Sequence, residues 1–245
     1  MIATEVRPQL MSPELGETTK AACKYPGLQH QPDDGASRGR LFQAVRRFLR
    51  AQFGRPTGFC GSVAGKIMAR TPSNHERIHW TIAMLDIKRH DRLLEIGFGP
   101  GIAIELASKM ATEGFVAGVD HSEVMVRQAV ARNAAAIRDG KVALWHGSVP
   151  KLPIFDQPFD KIFTINSIHF WTDSIDCLKE LRTLLRPGGM IVVVIQPRSR
   201  SATDSTSKLI GQEIAVNLER AGFSNCRLEI RQTASAPIAC AMGIN

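Results

Sequence analysis

The feature that most constrains this chain is a regular alternation of short apolar runs with helical segments, which begins near Asp91. Apolar runs of strand length cover 92–96, 115–119, 142–146, 161–165 and 190–195. Segments with a helical spacing of apolar residues cover 102–110, 123–137 and 173–185. Strands that alternate with helices form parallel sheets with helices on both faces. The alternation therefore predicts an α/β fold of the doubly wound kind.

The C-terminal part of the chain has a different order of predicted elements. One helix is predicted over 211–221, and two strand-like runs follow over 227–232 and 237–242. The two runs are close enough in sequence to pair as a hairpin. We therefore expect a mostly parallel, seven-stranded sheet with an antiparallel C-terminal edge. Before the fifth strand, Pro187 cannot continue a helix, and Gly188 and Gly189 allow a tight turn.

The N-terminal part divides into two predicted regions. Residues 1–38 are rich in Pro, Gln, Asp, Gly and Ser without an apolar period, which predicts a disordered extension. Residues 39–88 are expected to form a helical cap with helices over 41–53, 62–69 and 74–87, the last N-capped by Asn74. Residues 89–245 would then form the α/β domain. No basic segment followed by an apolar stretch opens the chain, so we expect a cytoplasmic protein.

Charge and cysteine content narrow the function only slightly. The net charge of +8 suits nucleic acid, an anionic membrane surface or an acidic substrate, yet it is equally typical of a solvated surface. The densest basic patch is Arg46, Arg47 and Arg50, where peripheral membrane contact is one interpretation. The five cysteines are scattered without a CxxC pair, which indicates reduced thiols and no metal site. No feature of the sequence defines the oligomeric state.

A glycine-rich loop follows the first strand of the predicted sheet. Gly97, Gly99 and Gly101 lie where open α/β sheets bind their ligands, beyond the carboxyl ends of the strands. Glycines there let the backbone turn sharply and let a ligand approach main-chain N–H groups. An ordinary turn from strand to helix is the alternative interpretation for the glycines alone.

Two cofactors compete for such a loop, and two carboxylates favour one of them. The dinucleotide fingerprint needs a third glycine where this chain has Ile102. Glu95, just upstream, is awkward beside a pyrophosphate but suits the ammonium of an amino-acid cofactor. Asp120 ends the second strand, where a carboxylate accepts from ribose hydroxyls. The combination favours S-adenosyl-L-methionine over NAD.

The segment Leu93-Leu94-Glu95-Ile96-Gly97-Phe98-Gly99-Pro100-Gly101 resembles motif I of the class I S-adenosylmethionine-dependent methyltransferases. Phe159-Asp160 and Leu185-Arg186-Pro187-Gly188-Gly189 also match that family. The chain is most similar to its small-molecule group, which includes the ubiquinone and menaquinone C-methyltransferases. The resemblance covers about 92–189 and implies a Rossmann-like sheet and methyl transfer by in-line displacement.

The resemblance also implies which residues bind the cofactor: Glu95, Gly97, Phe98, Gly99, Gly101, Asp120, His121, Met125, Gly147, Ser148, Val149 and Asn166. By it, the three glycines line the aminopropyl-carboxylate part, Glu95 orients the ammonium and Asp120 holds the ribose. His121 and Met125 would flank the adenine, and residues 147–149 would meet its edge. Asn166 would lie beside the methionine part. The family usually has Asp where Ser148 stands, so this chain lacks charge assistance at the adenine amino group.

The acceptor side of the site is less defined by the sequence. His169 is the candidate general base, and the alternative is a histidine that only packs within its loop. Phe170 and Trp171 are expected to wall an apolar acceptor pocket or to belong to the core. Further contributors would come from the cap: Arg55, Phe59, Met68, His75 and Trp80.

Four functions remain open at this stage. Asn166-Ser167-Ile168-His169 lacks the Asn/Asp-Pro-Pro-Tyr/Phe pattern of enzymes that methylate base amino groups, so nucleic acid is an unlikely partner. A small molecule with an oxygen, nitrogen or carbon nucleophile is the expected acceptor. The alternatives are an RNA or protein methyltransferase, a non-catalytic cofactor-binding regulatory module, and an NAD-dependent dehydrogenase.

Overall fold

A computed structural model describes residues 71–197, 203–234 and 236–245. The predicted extension 1–38 and the helices predicted over 41–53 and 62–69 lie outside these residues. The same holds for Cys23, Cys60 and the arginine patch, and for Arg55, Phe59 and Met68 of the predicted cap.

The described residues form one mixed sheet with helices on both faces. The helices are α1 (Pro72–Leu85), α2 (Ile102–Met110), α3 (Glu123–Arg132), α4 (Ala134–Arg138), α5 (Ser174–Thr183) and α6 (Asp204–Arg220). The strands are β1 (Arg92–Ile96), β2 (Phe115–Asp120), β3 (Val142–His146), β4 (Phe159–Ile165), β5 (Leu185–Ile195), β6 (Ser224–Arg231) and β7 (Ile238–Ile244). They form a seven-stranded sheet in the order β3-β2-β1-β4-β5-β7-β6. The predicted fold class is confirmed.

The direction of the strands follows the predicted pattern. Strands β1 to β5 pair in parallel, whereas β7 pairs antiparallel with both β5 and β6. The C-terminal hairpin therefore places its second strand inside the sheet and its first strand at the edge. The alternating burial of β6, with every second residue exposed, is what an edge strand with one solvated face requires.

The core lies on both faces of the sheet because neighbouring residues of a strand point to opposite faces. In β5, Ile191, Val193 and Ile195 pack in one cluster with α5 and α6. Val192 and Val194 pack in the other cluster with α1, α2 and Ala129 of α3. A strand buried on both faces explains why the run 190–195 is the most apolar of the chain.

The N-cap of helix α1 lies three residues before the predicted one. Thr71 is the N-cap and Pro72 occupies the first turn, where a missing N–H costs nothing. The prediction of Asn74 as N-cap is wrong: Asn74 lies inside the helix, where its Oδ1 accepts from Arg77 Nη2 at 2.5 Å. The helix ends at Leu85 because Asp86 takes the left-handed conformation.

Two other predictions differ from the structure: the extent of the helix predicted over 123–137 and the position of the turn predicted after Pro187. The helix predicted over 123–137 divides at Asn133, whose Nδ2 donates to Gly101 O and Ala129 O. The turn predicted at the glycines after Pro187 lies within β5: the register shifts between Phe159 and Lys161 of β4, and Gly188 there has φ 73°. Within the described residues, no helix is long and apolar enough to cross a membrane.

Candidate active site

A cavity opens at the carboxyl ends of β1, β2 and β4. Because β1 lies between β2 and β4, this is the point where strand order reverses and where open α/β sheets bind ligands. The lining residues are Asn74, Arg77, Ile78, Glu95, Gly97, Phe98, Gly99, Pro100, Ile102, Ala103, Asp120, His121, Met125, Ile165, Asn166, Ser167 and Phe170. Of the twelve predicted cofactor-binding residues, eight line this cavity and Gly101, Gly147, Ser148 and Val149 do not.

The three glycines of the loop have different surroundings, although all take positive φ. A Cβ on Gly97 would lie 2.3 Å from Ser167 Oγ, so the segment after β4 packs directly against this residue. A Cβ on Gly99 would meet nothing within 4 Å, which leaves its backbone open toward the cavity. A Cβ on Gly101 would lie 2.6 Å from Ala129 Cβ, so Gly101 serves the packing of the loop against α3.

Glu95 brings a buried acid to the cavity. Its side chain is 2% exposed, and its Oε2 has no hydrogen-bond partner among the described residues. Burial raises the pKa of the carboxyl well above its usual range, and the negative charge of Asp120 raises it further. A buried acid that protein groups leave unsatisfied is suited to a cationic ligand group.

Asp120 is held in place by the backbone around it. Its Oδ2 accepts from Gly99 N at 2.8 Å and its Oδ1 from Ser122 N at 2.8 Å. Burial raises the pKa of this carboxyl, while the two backbone hydrogen bonds and the nearby His121 act in the opposite direction. The hydrogen bond to Gly99 ties the end of β2 to the glycine loop, so the two predicted cofactor segments form one unit.

The residues predicted for adenine are placed in two groups. His121 and Met125 line the cavity directly after β2. Gly147 joins this region through its backbone, because its N–H donates to Asp120 O at 2.9 Å. Ser148 is exposed, and Val149 is buried in the core cluster beneath α5.

Asn166 closes the end of β4 in a left-handed conformation, with φ 52°. Its Oδ1 accepts from Gln196 N at 2.7 Å, and its own N–H donates to Val194 O. Asn adopts this conformation more readily than most residues do. The side chain thereby joins the ends of β4 and β5 and turns Ser167 toward Gly97.

His169 and Phe170 lie in a short 3₁₀ turn, Ile168–Phe170, after β4. Phe170 lines the cavity with its side chain partly exposed, and its ring centroid is 6.3 Å from that of His121. His169 is half-buried outside the cavity lining, with its ring centroid 4.0 Å from that of Phe170. Trp171 packs against the core and donates from Nε1 to Ser167 Oγ.

Helix α1 supplies lining residues that the sequence analysis missed. Asn74, Arg77 and Ile78 face the cavity, whereas His75 stacks near His79 and Trp80 packs against the core. Their spacing in the sequence could have indicated that they lie together. Arg77 and Ile78 follow Asn74 by three and four residues, so the three side chains share one helix face. Arg77 is the one charged side chain among the buried residues of this helix.

These residues fit the cofactor that the motif implies. The amino-acid end of S-adenosylmethionine needs a partner for an ammonium, and Glu95 Oε2 is a buried acceptor without one among the described residues. Close approach to the backbone needs a loop without side chains, and Gly99 provides it.

Comparison with known proteins gives consistent matches. Residues 93–189 match the model of the family described as "Methyltransferase domain". The chain is 30% identical over 179 residues to the uncharacterized methyltransferase YdaC of Bacillus subtilis, covering 73% of this chain and 96% of YdaC. It is 34% identical over 112 residues to the 27-O-demethylrifamycin SV methyltransferase of Amycolatopsis mediterranei, which covers 45% of this chain and 40% of that protein.

Solved structures share the fold. A SAM-dependent methyltransferase from Aquifex aeolicus superposes with a TM-score of 0.59 at 20% identity, over 74% of this chain and 97% of that chain. The N-methyltransferase NodS from Bradyrhizobium japonicum, in complex with S-adenosyl-L-homocysteine, superposes with a TM-score of 0.57 at 17% identity, over 81% and 97%.

Proposed function

Because the chain belongs to the class I S-adenosylmethionine-dependent methyltransferases, we propose that it transfers the methyl group of S-adenosylmethionine to a small-molecule acceptor. The observation that carries the proposal is Phe170, an aromatic side chain that lines the cavity from the segment after β4. That segment lacks the Pro-Pro pattern of base-amino methylation. An aromatic wall beside the glycine loop suits a partly apolar metabolite.

The chain's own residues have a limited task in this reaction. S-adenosylmethionine supplies a methyl group on a sulfonium, which is already electrophilic. The protein must hold the acceptor in line and exclude water. Glu95 and Asp120 are proposed to hold the ammonium and the ribose, and the loop from Gly97 to Gly99 to receive the rest of the methionine part.

His169 is proposed as the general base for acceptors that must lose a proton. It directly precedes Phe170, which lines the cavity, and its ring centroid is 4.0 Å from that of Phe170. If His169 is the general base, His169→Gln should lower kcat and remove the acidic limb of the profile of kcat against pH. A purely packing role predicts a loss of the same size at every pH, which would remove His169 from the mechanism.

Two named relatives support a small-molecule acceptor. By their printed names, one acts on 27-O-demethylrifamycin SV and another, from Geotalea daltonii, is a ubiquinone/menaquinone biosynthesis C-methyltransferase. This chain spans 40% and 44% of the length of those two proteins. The matched regions are only 112 and 104 residues long, so the support concerns the class of acceptor and not its identity.

An RNA or protein acceptor is the second candidate, and the net charge of +8 is the observation that favours it. Binding driven by charge falls steeply with salt, since each neutralised phosphate releases counterions. The two candidates therefore differ in the salt dependence of acceptor binding, which is measured without knowing the identity of the acceptor.

The deciding experiment incubates the full chain with methyl-labelled S-adenosylmethionine and, separately, a metabolite extract, total RNA and a protein extract. We expect label in the metabolite fraction, and none with an Asp120→Asn variant as control. Label in RNA or protein alone would overturn the small-molecule proposal. For an RNA acceptor, the extent of labelling should fall steeply between reactions run at about 50 and 200 mM salt.

A further inference from the structure

The sheet ends in two edge strands, β3 and β6, and the two edges differ in their protection. An open edge is a template for pairing with another chain, so proteins usually guard edges with bulges, charged side chains or proline. In β6 the register shifts between Ser224 and Arg227, and Asn225 takes a φ of 50°. Exposed charges alternate along the same strand, at Arg227, Glu229 and Arg231. The β6 edge is therefore guarded.

Strand β3 has none of these devices. Its residues, Val142–His146, include no proline and no side chain with a fixed charge. They pair with β2 in continuous register, without a bulge. Leu144 and Trp145 are half-buried and lie on opposite faces of the strand. Among the described residues, β2 is the only strand that pairs with β3, so its outer side is a regular and apolar edge.

The hydrogen bonds to β2 define which backbone groups of β3 point outward. Lys141 O accepts from Val116 N, and Gly147 N donates to Asp120 O, each at 2.9 Å. The N–H and C=O of one residue point to the same side of a strand, and the side alternates along the chain. Odd-numbered residues therefore bond to β2. The residues whose N–H and C=O point to the open side are Val142, Leu144 and His146.

These outward residues are spaced symmetrically about Leu144, which is the requirement for pairing with an identical strand. We propose that two copies of this chain pair antiparallel along β3, so that two seven-stranded sheets join into one. In this register Leu144 exchanges both backbone hydrogen bonds with its own equivalent, and Val142 pairs with the equivalent of His146. A two-fold interface uses the same patch on both copies, and this edge is complementary to itself.

The side chains also fit this register. On one face of the joined strands, Ala143 lies opposite the equivalent of Trp145, which places a small residue beside a large one. No like charges of the two strands oppose each other. Phe155 packs edge-on against Trp145, with ring centroids 5.5 Å apart, and Ile154 beside it in sequence is 99% exposed. Apolar surface therefore continues beyond the strand itself. Because a five-residue strand makes a small interface, the dimer should be weak and dependent on concentration.

The pairing leaves the cofactor cavity accessible. No residue of β3 lines the cavity, and β2 separates β3 from β1 in the sheet. Binding of S-adenosylhomocysteine should therefore be the same in the monomer and in the dimer. Calorimetric titration with this ligand then reports whether a variant at the β3 edge is correctly folded, independently of its oligomeric state and of the methyl acceptor.

Opposite charges at the symmetry point test the pairing. Because Leu144 faces its own equivalent, Leu144→Lys and Leu144→Glu each place like charges opposite one another. Sedimentation equilibrium of the full chain should show a monomer–dimer equilibrium, and each variant should raise its dissociation constant by at least about 10-fold. An equimolar mixture of the two variants should recover the dimer. Val130→Lys, at a residue of α3 that is 41% exposed, is the matched control and should leave the equilibrium unchanged.

Amide hydrogen exchange locates the interface. Exchange at Leu144 and His146 should slow as the protein concentration rises, whereas Ala143 and Trp145, which bond to β2, should exchange slowly throughout. Three results would overturn the proposal. One is a monomer at every concentration, and another is a dimer that Leu144→Lys leaves intact, which places the interface elsewhere. The third is a loss of the dimer in both variants that mixing does not reverse, which assigns the effect to the packing of Leu144 within its own chain.

Discussion

Replacing Glu95 by Gln should stabilise the protein without cofactor, and increasingly so as the pH rises. The carboxyl is buried, its Oε2 has no hydrogen-bond partner among the described residues, and Asp120 adds a like charge. Its pKa is therefore well above the usual range in the native state. Gln keeps the shape of the side chain and removes the charge.

The sign and size of this difference in stability follow from the linkage between proton binding and folding. Above the ordinary glutamate pKa of about 4.3, the native state binds the Glu95 proton more tightly than the unfolded state does. The free energy of unfolding of the unchanged protein therefore falls with pH, by at most about 1.4 kcal/mol per pH unit from this group, until Glu95 ionises in the native state. We expect Glu95→Gln to be more stable at pH 8 by about 1–3 kcal/mol, the usual cost of an unsatisfied buried polar group.

Urea denaturation of both proteins between pH 5 and 8, in steps of about one unit, measures this difference. Asp120 titrates in both proteins, and because its charge raises the pKa of Glu95, the coupling between the two carboxyls is part of the measured difference. Glu105→Gln is the control with the opposite sign, because hydrogen bonds from Lys109 and Arg132 lower the Glu105 pKa. That variant should be slightly less stable at neutral pH, by about 0.5 kcal/mol or less.

Parallel stability curves for the unchanged protein and Glu95→Gln would refute the reasoning. They would mean that the Glu95 proton is bound equally in the native and unfolded states, so that the carboxyl is solvated or paired. A variant that is more stable without cofactor yet binds S-adenosylhomocysteine more weakly would show that stability is sacrificed here for binding.

Three further predictions concern the surrounding structure. Gly101→Ala should destabilise the protein by about 2–5 kcal/mol, from left-handed strain plus overpacking against α3, whereas Gly140→Ala, with φ 71° and open space, should cost only about 1–2; equal losses in thermal or urea unfolding would contradict this. Lys161→Met should cost about 3–5 kcal/mol by leaving the buried Asp91 charge unpaired, and adding Asp91→Asn should recover most of it. Burial raises the pKa of Cys240 to about 12, so mass spectrometry should find it unmodified by a thiol reagent at pH 8 until the protein is unfolded.

The positions of the strands were readable from the sequence because their signals are local. A strand such as β5 is buried on both faces, so a continuous apolar run indicates it whichever strands it pairs with. The boundaries that moved depend on distant residues. The division between α3 and α4 follows from Asn133 bonding to Gly101, and the bulge in β5 follows from pairing with β4.

The identity of the cofactor was likewise determined by the sequence alone. Glu95, the glycines of the loop and Asp120 each stand at a strand end, and the carboxyl ends of parallel strands meet at one edge. Local order along the chain therefore predicts their proximity. Only the tertiary structure decided which neighbours complete the cavity, because Arg77 lines it from a helix outside the strand-helix alternation and is hydrogen-bonded there to Gln196, which follows β5. Burial, too, is a tertiary property: it makes Glu95 an unsatisfied acid and Arg77 a buried cation, since desolvation depends on what packs around a side chain and not on its neighbours in sequence.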